Sequence, residues 1–115
     1  MMNFGTWKAN GLRVLWFGGM INPDALAQAC EVILENIQSL TGKSASFDEA
    51  LLIVRPSSDG AVREYSGRVV PGKRHYVVAS DTLTAARGLA QMMATRYNVR
   101  GDSSALLVSA AAGGY

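Results

Sequence analysis

The sequence predicts an α/β fold: a mixed sheet that opens with a β-hairpin, continues through βαβ-type units and carries its helices mainly on one face. Three observations support this. Apolar runs of strand length, Leu12–Phe17, Leu51–Val54 and Tyr76–Ala79, recur along the chain, and runs of this kind suit strands inside a sheet. Two segments that follow such runs place apolar residues at spacings of three and four, the helical period. Strands joined through helices become parallel neighbours with right-handed crossovers. With 115 residues, 49% of them apolar, residues 1–115 read as one domain with a core of its own.

The elements follow in order. Asn10-Gly11 is the preferred pair for a two-residue type I′ turn, because both positions need positive φ. Its flanks, Phe4–Ala9 and Leu12–Phe17, read as the two strands of the hairpin. Alternation sends Trp16 and Phe17 to opposite faces, and Gly18-Gly19 lets the chain turn out of the sheet. Asn22-Pro23 then starts a helix at about Pro23–Leu40: Asn22 caps the first N–H groups, and Pro23 sits where a missing N–H costs nothing. Leu26, Cys30, Ile33, Ile37 and Leu40 form its apolar stripe, with Gly42 as the stop.

Leu51–Val54 is a short buried strand ended by Pro56. Residues 61–74 admit a hairpin turn at Ser66-Gly67 or a helical turn at Ala61–Tyr65, and read best as irregular structure with a strand fragment. Tyr76–Ala79 is the next core strand, and Asp81-Thr82 caps a second helix at about Thr82–Tyr97. Ala86, Ala90, Met93 and Tyr97 share one face of that helix. Gly88 in its middle costs about 1 kcal/mol of helix propensity, a cost that close packing against the sheet would explain. Ala105–Val108 is expected to be the last strand, and residues 110–115 a loose tail.

Composition excludes several functions. The net charge is +2, and the eleven Lys and Arg are scattered rather than gathered into a basic stripe with aromatics, so no nucleic-acid partner is expected. No apolar run approaches the length of about 20 residues that spans a bilayer, so no membrane insertion is expected. The first residues lack the parts of a signal peptide, which leaves the cytoplasm as the expected location. Cys30 is the sole cysteine, so neither an internal disulfide nor a thiolate metal cluster can form within one chain. On the apolar stripe it reads as a small buried hydrophobe. His75, the sole histidine, begins a strand after Lys73 and Arg74, and no acid–histidine–nucleophile arrangement is legible around it. Phosphate-binding loops, dinucleotide glycine patterns and metal motifs are absent from the sequence, so no cofactor and no metal are expected.

The order of elements, with "LRVLWFGGMINPDAL" at the first strand–helix turn and "RHYVVASDTLTAARGLAQMM" at a later one, resembles the STAS superfamily, particularly its small stand-alone SpoIIAA-like members. In that family a Gly-x-Leu/Ile-Asp/Asn turn leads from the hairpin into the first helix, and Gly19-Met20-Ile21-Asn22 matches it. The resemblance implies a non-enzymatic regulatory or protein-interaction module, with a protein partner expected and a homodimer as a candidate assembly. It also implies a regulatory phosphoserine after the strand that corresponds to Leu51–Val54. The nearest residues are Ser57, Ser58, Asp59 and Gly60, in a different order from the family's Asp-Ser-Ser-Gly and equally readable as a turn.

The second candidate is Ser80-Asp81-Thr82, where a helix N-terminus offers N–H groups to an anion. Asp81 would repel an anion and can satisfy those groups itself, so the plain cap is the simpler reading. If the strands are parallel, both loops lie at the carboxyl edge of the sheet, where open α/β folds bind ligands. The alternative function is therefore a small-molecule binder or enzyme that uses these loops.

Overall fold

The computed structural model describes residues 5–48, 50–56, 65–68 and 75–113. They form a five-stranded sheet and three helices. The strands are β1 (Gly5–Ala9), β2 (Leu12–Trp16), β3 (Leu51–Val54), β4 (Tyr65–Arg68) and β5 (His75–Ala79). The helices are α1 (Pro23–Thr41), α2 (Thr82–Arg96) and α3 (Asp102–Ala111). In space the strands run β1-β2-β3-β5-β4; β2, β3 and β5 are mutually parallel, and β1 and β4 are antiparallel edges. The hairpin turns at Asn10 and Gly11, both with positive φ, as the Asn-Gly pair requires.

Alternation along the parallel strands selects the faces. Val14, Leu52 and Val77 lie side by side in register and are fully buried, as are Leu12 and Val54. These residues share one core with Leu26, Cys30, Ile33 and Ile37 of α1 and with Leu89 and Met93 of α2, so the helices cover this face. On the other face Leu15, Ile53 and Val78 form a half-buried apolar row. The strand order β2-β3-β5 proceeds in one direction. The right-handed β2–α1–β3 crossover places α1 on one side of the sheet, and α2, which follows β5, packs on that same side.

α1 behaves as its pattern predicts except at its end. Leu26, Cys30, Ile33 and Ile37 are buried, Glu31 and Glu35 are exposed, and Leu40, expected on the apolar stripe, is exposed. α2 is buried on nearly every side because it packs against the sheet, α1 and α3 together. Its small residues make that possible: an ideal Cβ on Gly88 would stand only 2.7 Å from Val77 Cγ1. The helix ends in a Schellman arrangement, with Asn98 left-handed, Val99 N–H donating to the Ala94 carbonyl and Asn98 N–H to that of Thr95.

Two expectations are corrected. Ala105–Val108 is helical, within α3, not a strand. The position beside β5, next to the parallel strands, is taken by the antiparallel β4. The chain instead folds back onto α2 and α1. Ala110 and Ala111 complete α3, and Ala111 is buried, so a tail can begin no earlier than Ala112. The strand fragment expected within residues 61–74 is β4, in which Ser66 and Gly67, the alternative turn, pair with Val77 and Tyr76.

The segment between α1 and β3 is fastened to the end of α2. The Tyr97 hydroxyl accepts from Ser46 N–H at 2.9 Å and donates to its carbonyl at 3.0 Å. The Arg96 guanidinium donates to the Phe47 carbonyl. Phe47 is fully buried, a core residue that no periodic pattern announces.

Candidate functional site

The carboxyl edge of β2, β3 and β5 is the first place where polar loops could converge. Its two helix starts are tied to each other. Gly18 and Gly19 adopt φ of +117° and +114°, which brings Met20 N–H within 2.9 Å of the Ser80 carbonyl. A Cβ on Gly19 would meet that same carbonyl at 2.8 Å, so the approach needs glycine. Asn22 N–H donates to Thr82 Oγ1 at 2.8 Å, joining the start of α1 to the start of α2.

Each helix start is also capped by its own side chain. Asn22 Oδ1 accepts from Ala25 N–H at 3.1 Å, and Asp81 Oδ1 accepts from Thr84 N–H at 2.8 Å. One N–H of each helix start is thereby engaged, and a carboxylate stands at each: Asp24 in the first turn of α1 and Asp81 at the cap of α2. Of the Ser80-Asp81-Thr82 candidates, Ser80 acts through its carbonyl, Asp81 as the cap and Thr82 as the acceptor between helices. Ser57, Ser58, Asp59 and Gly60 lie outside the described residues. Among the described residues β2, β3 and β5 follow one another in a single direction, without the reversal of order that marks a switch-point crevice.

The reactive groups point the same way. Burial pushes the Cys30 thiol up to about 12, with the Glu31 charge adding to the effect. The thiolate that would attack a substrate or bind a metal is therefore strongly disfavoured at neutral pH. Among the described residues no group of three or more His, Cys, Asp and Glu could hold a metal ion. The Trp16 indole N–H is buried and has no acceptor among the described residues. Such an orphan costs about 1–3 kcal/mol.

A second feature lies on the opposite side of the helical layer. α2 and α3 enclose an open groove of about 900 Å³. The exposed positions of α2 are Arg87, Gln91 and Thr95, one line at a spacing of four, and the first two form a wall of the groove. From α3 and its approach come Arg100 at one end, then Ser104, Ala105 and Val108. No acidic residue lines the groove, and neither Arg87 nor Arg100 forms an ion pair among the described residues.

Beside the groove, α3 carries no charge after Asp102 and buries only Leu107 and Ala111, leaving Leu106 68% exposed. The sequence reading could not reach this groove, because one of its walls was expected to be a strand. Asp102 ahead of an alanine-rich run was the available signal, an acidic first turn followed by strong helix formers.

Searches against protein-family models, curated proteins and solved structures found no match for this chain.

Proposed function

We propose that this chain is a non-enzymatic protein-interaction module of regulatory, STAS-like type. The exposed apolar surface of α3 beside the α2–α3 groove carries the proposal. A helix that carries no charge after Asp102, buries two side chains and presents Leu106 to solvent is poorly suited to remain uncovered. The opening hairpin and the parallel pairing of β3 with β5 support the STAS comparison. The tied and capped carboxyl edge favours a binding role over catalysis at that edge.

The test is affinity capture from the native source, with wild type and Leu106→Glu in parallel. A single protein retained by wild type and lost with Leu106→Glu supports the module. A stoichiometric small molecule that co-purifies with both, or turnover abolished by Asp81→Ala, would overturn it in favour of a site at the carboxyl edge. Leu106 is exposed, so the substitution should leave the thermal midpoint nearly unchanged, and this is checked first.

A further inference from the structure

We infer that the α2–α3 groove is a docking site for an acidic, amphipathic helical segment of a partner protein; this rests on the interaction-module reading and names the partner's chemistry. The first argument is shape. The α3 side of the groove runs from Gly101 to Ala112. At 1.5 Å per residue this is roughly 16 Å, about three helical turns. Its residues Ser104, Ala105 and Val108 are small or of modest size and allow a third helix to lie close. Val99, Ala105, Val108 and Ala112 give the groove apolar contacts beside the polar Gln91, Ser104 and Ser109, a mixed lining that suits an amphipathic helix.

The second argument is charge. Two arginines and no carboxylate line the groove, although the whole chain has nine Asp and Glu against eleven Lys and Arg and Asp102 follows Arg100 by two residues. Arg100 precedes α3 and Arg87 stands one turn before Gln91 on α2, so the positive groups come from both walls. Guanidinium groups recognise carboxylates through paired, charge-assisted hydrogen bonds. Arginine is also enriched where protein interfaces concentrate their binding energy.

A second copy of the chain is disfavoured, because symmetric pairing through this groove would bring four arginines together. Two cations in a groove lined by no aromatic residue also fall short of the basic stripe with stacking aromatics that nucleic acid requires.

The experiment selects from a displayed library of helical peptides of about 14 residues, long enough for the three turns available, against the full-length protein. Enriched peptides are expected to carry two or more Asp or Glu opposite an apolar stripe. Their binding should weaken about tenfold or more in Arg87→Gln/Arg100→Gln, as expected for loss of charge-assisted contacts, and should fall as salt rises. Amide shifts in labelled protein should cluster at Gln91, Arg100, Ser104 and Val108. If the double variant is unstable, each single Arg→Gln variant is measured alone.

Enrichment of neutral or basic peptides, binding unmoved by the arginine substitutions, or no enrichment at all would overturn the proposal. So would tighter binding of single-stranded RNA or of phosphatidylserine vesicles through the same arginines, or self-association through the groove in sedimentation. Non-acidic peptides bound on Leu106 or on the Leu15–Ile53–Val78 face would overturn this inference and leave the interaction module standing. Turnover or a small-molecule ligand at the carboxyl edge would remove that module reading itself.

Discussion

Replacing Gly88 by alanine sets two effects of known sign against each other. Gly88 lies inside α2, where propensity alone makes alanine more stable by about 1 kcal/mol. Against this, the new Cβ would lie 2.7 Å from Val77 Cγ1. Carbon atoms in contact settle at about 3.5–4.0 Å, so the helix or the valine must yield by about 1 Å. Val77 is fully buried, its strand is held between β3 and β4, and a β-branched side chain has little freedom at χ1. Overpacking of this kind costs about 1–3 kcal/mol. After the propensity gain, Gly88→Ala should destabilise by about 0–2 kcal/mol.

The sharper test is the double-mutant cycle with Val77→Ala. Removing the two methyls costs stability in the wild-type background and relieves the collision in Gly88→Ala. The double variant should therefore be more stable than the sum of the singles by about 0.5–3 kcal/mol. Urea denaturation followed by tryptophan fluorescence measures all four proteins. A Gly88→Ala variant stabilised by the full propensity gain, with additive effects in the cycle, would refute the close approach of α2 to β5.

Three further outcomes are expected. Cys30 has a folded pKa of about 12 against an ordinary value of 9.0; above pH 9 the unfolded chain loses a proton that the folded chain keeps. Stability should therefore decline by about 1.4 kcal/mol per pH unit between the two values and be intact below pH 9, a slope that comparison with Cys30→Ala isolates. Ile33→Ala, at a fully buried site, should cost about 2–5 kcal/mol, whereas Glu35→Ala on the exposed face should stay within about 0.5 kcal/mol; equal losses in chemical denaturation would mean the face of α1 is wrong. Tyr97→Phe deletes both bonds to the Ser46 backbone and should cost about 1 kcal/mol, with faster hydrogen exchange at the Ser46 amide as its local signature.

The features legible in the sequence alone are local. Asn10-Gly11 requires its turn, Asn22-Pro23 starts its helix, and Asp81 caps the next one through contacts only a few residues away. The three core strands follow from apolar runs of strand length, and the α1 stripe through Ile37 from the helical period. Tertiary structure decided the rest. Ala105–Val108 is as apolar as a strand, and it is helix, packed on α2 and α1.

Phe47 entered the core through a non-periodic loop that Arg96 and Tyr97 hold from 49 and 51 residues away. Asn22 and Thr82, 60 residues apart, tied the two helix starts together and so engaged the edge that had looked open to ligands. The α2–α3 groove came into being only when α3 folded back, bringing Arg87 and Arg100 to one surface. Hydrogen-bond caps and turn dihedrals act over a few residues and are written locally. A sheet edge, a loop anchor and a groove depend on which distant segments come to share a space, and packing of the whole chain alone determines that.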